Sequence, residues 1–144
     1  MKEKVIRSTE GQQINVLTGS QIIKLTGQET NGQFASIIQN LPPGTGVPRH
    51  IHNDNDEHFH ILEGEVHFEF GDDEGTLKAG DMIFLPRNVP HSILAVGDQT
   101  AVIALTVTPA GAENMFLELS ELPSGTPDFE KVSEICSRYG ISFV

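Results

Sequence analysis

Between Gln12 and Val107 the chain is broken into short runs rich in Val, Ile and Phe, and turn residues stand at nearly every break. Runs of that length, bounded by residues that favour tight turns or positive φ, specify strands rather than helices and a stack of hairpins rather than a parallel sheet. The spacing predicts strands over Gln12 to Leu17, Gln21 to Leu25, Gln33 to Leu41, Glu57 to Leu62, Val66 to Phe70, Gly75 to Lys78, Asp81 to Leu85, His91 to Ala95 and Ala101 to Thr108. Gly19, Asn31-Gly32, Pro42-Pro43-Gly44, Glu63-Gly64, Gly71-Asp72-Asp73, Gly80 and Gly97-Asp98 supply the turns. The pattern changes only near the end. Phe129, Val132, Ile135, Cys136 and Tyr139 recur at three- and four-residue steps between Thr126-Pro127 and Gly140, which marks an amphipathic helix. A shorter helix is expected around Glu113 to Leu119, and both are expected to lay their apolar sides on the outside of the β structure.

The fold class is therefore all-β, an antiparallel sandwich or barrel with a short helical tail. The 144 residues suit one domain: a core over about 34–108, N-terminal strands within 1–33 and C-terminal helices within 111–140. With 20 acidic against 9 basic residues the net charge is -11, which repels phosphate backbones and anionic lipid. Neither nucleic acid nor membrane is an expected partner. Cys136 is the sole cysteine, so an internal disulfide is excluded, and the N-terminal residues mix charged and polar groups where a secretory signal has an apolar stretch. A cytoplasmic location is the expectation.

One constellation carries chemistry. His50 and His52 stand two apart, so on an extended chain both imidazoles face the same way. Glu57 follows after the four polar residues Asn53 to Asp56, enough chain to turn and return a carboxylate on the neighbouring strand. His91, just beyond the Pro86 to Pro90 turn, completes the set if the sheet curls into a barrel. Three neutral imidazoles and a carboxylate suit one divalent ion of the Mn, Fe, Co, Ni, Cu and Zn series, and a lone carboxylate is a poor offer to Mg or Ca. Four protein ligands on an ion that accepts six leave room for water, substrate or dioxygen.

The run Gly44-x5-His50-x-His52-x4-Glu57-x6-Gly64 resembles the first cupin motif at every required position. Gly80-x5-Pro86-x-Asn88-x2-His91-x3-Ala95 is similar to the second, with Asn88 in place of a Gly and Ala95 in place of an Asn. Asn tolerates the left-handed conformation of a turn Gly, whereas Ala95 removes a possible polar partner. The resemblance implies a cupin double-stranded β-helix, a jelly-roll barrel. The Thr26 to Thr30 segment, Pro109 to Phe116 and the closing Arg138 to Ile141 look like bacterial single-domain cupins of the quercetin-2,3-dioxygenase-like kind. That likeness implies a metal-dependent dioxygenase acting on a flavonol or enol-like small molecule, with Glu57 doubling as the base that takes the substrate's hydroxyl proton. An isomerase or lyase acting on a sugar or keto compound, and a small-molecule-binding cupin without turnover, remain alternatives.

Other residues read more plainly. His58 and His60 alternate with Glu57 and should face outward, as should His67. Phe59, Ile61, Phe68, Phe70 and Phe84 suit either a pocket wall or ordinary core. Asp54, Asp56, Asp72, Asp73 and Glu74 read as solvated turn residues, and Arg87, next to the site in sequence, as either solvent-facing or a contact for an anionic substrate. The strands before Gln33 would leave exposed edges on a lone barrel, so a homodimer paired across a two-fold is expected.

Overall fold

The computed structural model describes residues 1–17 and 19–144. In chain order the strands are β1 (Gln12–Val16), β2 (Gly19–Leu25), β3 (Ala35–Leu41), β4 (Gly46–His52), β5 (Asp56–Glu63), β6 (Glu65–Phe70), β7 (Asp73–Lys78), β8 (Met82–Leu85), β9 (His91–Val96) and β10 (Ala101–Thr108). The helices α1 (Ala112–Ser120) and α2 (Phe129–Arg138) and a last strand β11 (Ile141–Phe143) follow. Two antiparallel sheets result, one ordered β1-β2-β3-β10-β5-β8 and the other β11-β4-β9-β6-β7. Beside the consecutive pairs β1-β2, β2-β3 and β6-β7, the strands that carry the core pair over long stretches of sequence, β10 with β3 and β5, and β9 with β4 and β6, the jelly-roll arrangement expected of the class.

Alternation fills the space between the sheets. On the paired strands β3 and β10, Ala35 stands against Val107, Ile37 against Leu105 and Gln39 against Ile103, and all six are buried. Ile61 on β5, Val66 on β6 and Ile93 on β9 join the same core. Burying each large aliphatic side chain contributes about 1.5–3 kcal/mol before the entropy of ordering is charged against it.

Two local expectations are met by backbone geometry. Asn88 adopts φ 67, the left-handed conformation a turn Gly would otherwise supply. Gly64 sits at φ +74, where an added Cβ would meet the Ala101 Cα at 2.9 Å.

The structure corrects three others. The sheets remain two separate hydrogen-bonded ladders, so the expected barrel is not closed and the structure is a two-sheet sandwich. Strands β4 and β11 were not among the predicted runs. β4 carries Gly46 and Pro48 and has a register shift between Val47 and His50, which hides its period, and β11 is only three residues long. Finally, the helices do not merely coat the outside. Met115 and Leu119 of α1 and Val132, Ile135 and Cys136 of α2 bury themselves with Val16 and Ile141 in a second apolar cluster. α2 starts at the Asp128 cap, whose carboxylate accepts from the amides of Glu130 and Lys131. The buried Glu113 carboxylate ties α1 down by accepting from the amides of Gly27 and Gly111, both at 2.7 Å.

Candidate metal centre

His50 and His52 project from β4, and His91 from the neighbouring β9, where it lies directly opposite His50 in the ladder. Glu57 comes from β5 in the other sheet. The anticipated roles of these two are thus exchanged. His91 needs no curled sheet to join the histidines, because it shares theirs, while the Asn53 to Asn55 link crosses the sandwich and presents Glu57 from the opposite face. All four residues are buried, Glu57 at 4% exposure.

Their ligand atoms lie within 4.8 Å of one another. His50 Nε2 and His52 Nε2 are 3.1 Å apart, His91 Nε2 and Glu57 Oε2 also 3.1 Å, and His52 Nε2 and Glu57 Oε2 3.4 Å. Ligands at about 2.1 Å from one ion stand about 3.0 Å apart at a right angle and about 3.4 Å apart at the tetrahedral angle. These three separations fall in that interval, and three imidazoles with one carboxylate are a donor set that suits a single transition ion.

Backbone carbonyls orient two of the rings. His50 Nδ1 lies 2.7 Å from the Pro48 carbonyl and His91 Nδ1 3.0 Å from that of Val89, so each Nδ1–H donates outward and leaves Nε2 as the inward lone pair. His52 Nδ1 is buried without a partner among the described residues. Burial lowers the His50 imidazole to about 4, helped by the neighbouring His91, and burial likewise lowers His52. Both are neutral at physiological pH, as metal ligation requires. Burial alone would raise the Glu57 carboxyl, but the facing His52, His91 and His50 outweigh it and hold the group below the ordinary carboxylate range.

The turn that delivers His91 is anchored to the strand that delivers Glu57. Asp56 accepts hydrogen bonds from the Arg87 amide at 2.8 Å and from its guanidinium Nε at 3.0 Å and Nη2 at 2.8 Å. The guanidinium holds the Asp56 carboxyl at about 2. Arg87 is therefore engaged by Asp56, which is itself an anchor and not an idle solvated turn residue.

A cavity of about 100 Å³ opens beside the quartet. Its walls are largely apolar, with Phe59 and Leu105 from the strands, Met115 and Cys136 from the helices, and Leu17 and Phe143 from the two ends of the chain. Of the five candidate pocket residues only Phe59 lines it. Ile61 is core, Phe70 packs at the core's margin with its ring tilted against that of Phe68 at 6.0 Å between centroids, and Phe84 is 60% exposed on β8. His58, His60 and His67 stay outside the quartet, as alternation requires. The burial of Cys136 pushes its thiol up to about 11, which makes it a neutral piece of wall. Sequence reading missed the helical wall and two polar wall residues, Gln21 and Gln39. The signal for the latter was present, because each holds the inward phase of a strand next to Ile23 or Ile37.

A sandwich of this topology with an inward 3-His/1-Glu quartet defines a cupin. The family profile described as Cupin domain matches residues 37–108, and the chain belongs to that family. It is 29% identical over 119 residues to quercetin 2,3-dioxygenase of Bacillus subtilis, covering 81% of this chain and 34% of that protein. It is 30% identical over 122 residues to germin-like protein 5-1 of Oryza sativa subsp. japonica, covering 77% of this chain and 55% of that one. The chain thus spans about a third and about half of these two relatives. The crystal structure of a predicted oxalate decarboxylase from Thermotoga maritima superposes with a TM-score of 0.69 at 24% identity, over 74% of this chain and 99% of that one, a likeness of fold.

Proposed function

We propose that this cupin holds one divalent transition ion, of the Ni, Fe, Mn, Co, Cu and Zn group, through His50, His52, Glu57 and His91, and that it is a quercetinase-like dioxygenase acting on a small enol-like molecule. The observation that carries the reading is the quartet's position in the wall of a buried, mostly apolar cavity. The similarity to the B. subtilis quercetin dioxygenase supports the choice of reaction.

Cavity size narrows the substrate. A cavity of about 150 Å³ holds benzene, so the cavity of about 100 Å³ here is short of even one ring and its walls must give to admit a single-ring substrate. A three-ring flavonol enters only if the helical wall swings out. The bound ion supplies a Lewis-acidic centre that acidifies an enol hydroxyl and, when redox-active, exchanges electrons with the substrate and dioxygen. The chain does the rest. His50 and His91, braced by the Pro48 and Val89 carbonyls, keep their Nε2 atoms in place. Glu57, the proposed catalytic base, receives the hydroxyl proton on its carboxylate. Phe59, Leu105 and Met115 exclude water, which strengthens the electrostatics around the proton transfer.

The protein is further proposed to work as a cytoplasmic homodimer. The six-stranded sheet ends at β1 and β8, and β8 exposes Met82 and Phe84. The test of function is dioxygen uptake by Ni, Fe, Mn and Co forms with a panel of single-ring enols. Uptake that follows the ion supports the reading. Inertness of every form refutes it, and product formed by the Zn form without dioxygen would establish an isomerase or lyase instead.

A further inference from the structure

The chain has nine Lys and Arg residues, and none of them lines the cavity beside the quartet among the described residues. The two arginines nearest the ligands in sequence are engaged on the outside. The Arg87 guanidinium donates to Asp56 from Nε at 3.0 Å and Nη2 at 2.8 Å. Arg49, next to His50, donates to the Gly71 carbonyl at 2.8 Å and lies 3.6 Å from the Glu69 carboxylate. Their side chains are 41% and 35% exposed, so neither reaches inward. The wall's two amides, Gln21 and Gln39, are uncharged.

The charge a ligand meets is therefore set by the quartet alone. Imidazoles ligate as neutral donors, so a divalent ion with the Glu57 carboxylate presents about one positive charge. A ligand with one negative charge neutralises it. A second negative charge would lie unpaired against Phe59, Leu105, Met115 and Phe143, with no cation in the wall to meet it. Burial of an unpaired charge is heavily disfavoured in a low-dielectric interior. The chain's net charge of -11 works in the same direction by repelling dianions on approach. A dicarboxylate that chelates through one oxygen of each carboxylate turns its remaining charged oxygens toward those apolar walls, whereas an enolate-type chelator turns carbon toward them.

We infer that the cavity selects its ligand by charge. It takes a singly charged oxygen chelator whose remaining atoms are uncharged, and it excludes dicarboxylates of comparable chelating power, such as oxalate. The inference deepens the proposed function and rests on it for the bound ion.

The experiment is titration calorimetry on the full chain reconstituted with zinc, with acetohydroxamate and oxalate as probes. Both close a five-membered chelate ring through two oxygens and neither is larger than benzene. The first binds with one negative charge and ends in a methyl group; the second carries two charges. Each affinity is divided by that of the same probe for free zinc in the same buffer. In this normalised ratio the wild type should favour acetohydroxamate by about tenfold or more. Met115→Lys keeps an unbranched side chain of similar length and puts a cation in the wall, and it should shift the ratio toward oxalate by about tenfold or more. Met115→Gln, polar but uncharged, should leave the ratio as it is. Leu17→Lys, at a wall position that is 47% exposed and so tolerates a charge, should shift it in the same direction even if Met115→Lys fails to fold. A wild-type ratio near one or in favour of oxalate, a ratio that neither lysine variant moves, or a zinc-loaded chain that binds neither probe would each overturn the inference. A chain that takes up no ion overturns the proposed function and this inference together, and metal content shows it before any probe is added. Charge selection without dioxygen uptake by any metal form would refute the oxygenase reading alone and leave the inference standing.

Discussion

Lowering the pH should unfold the metal-free protein through His50 in particular. The imidazole titrates at 6.5 in an unfolded chain and at about 4 in the fold, chiefly because burial disfavours its charged form. Between those values the unfolded state binds the extra proton, so stability is full above pH 6.5 and is lost as the pH falls toward 4. A gap from 6.5 to about 4 corresponds to about 3 kcal/mol at about 1.4 kcal/mol per unit. For a chain of this size that is on the order of 10 °C in melting temperature. His52 shifts in the same direction and adds to the loss, and the lowered Glu57 carboxyl adds its share below 4.5. The assay is urea unfolding after chelator dialysis, from pH 7.5 to pH 4, for the wild type and for His50→Gln, with the ring protons followed by NMR. The variant should lose about 3 kcal/mol less than the wild type over this range. A His50 ring that titrates near 6.5 in the folded apoprotein, or identical pH profiles for the two proteins, would refute the reasoning.

Other perturbations separate the parts of the account. Glu57→Gln keeps the side chain's shape but removes the proton acceptor, and turnover by the ion-loaded protein should fall by about 10²-fold or more in a dioxygen-electrode assay. Asp56→Asn loosens the anchor between β5 and the turn before His91. Because that pair is largely solvent-facing, unfolding free energy should change by under about 1 kcal/mol, while competition with a chromogenic chelator should reveal weaker ion binding. Gly64→Ala forces a Cβ to within 2.9 Å of the Ala101 backbone at φ +74, and thermal unfolding should show a loss of more than about 1 kcal/mol. Light scattering at micromolar concentration should give the mass of two chains, and a one-chain mass would dismiss the homodimer.

Most of the sandwich was legible because its strands advertise themselves twice, by period-two burial and by turn residues at their ends. Ala35, Ile37 and Gln39 on β3 and Ala101, Ile103, Leu105 and Val107 on β10 face inward as alternation dictates. β4 escaped because Pro48 and the shifted register break its period, although His50 and His52 at its end were readable as a pair. The quartet's membership could be read from spacing, but not the way it is assembled. Strand pairing across distant parts of the sequence is a tertiary matter, and it put His91 beside His50 and Glu57 across the sandwich. The roof of the cavity was hidden for the same reason. An amphipathic helix announces that it has an apolar face, and the local pattern is silent on whether Met115 and Cys136 cover a core or a chamber.

The central claim is that three imidazole nitrogens and one carboxylate oxygen converge on one ion, and metal content together with X-ray absorption on the purified protein tests it most directly. The account predicts one first-row transition ion per chain, a first shell of nitrogen and oxygen at about 2.0–2.2 Å with imidazole scattering, and loss of the ion in both His52→Ala and His91→Ala. A wild-type chain that takes up no such ion on reconstitution, or one that binds it equally well in those two variants, would contradict it.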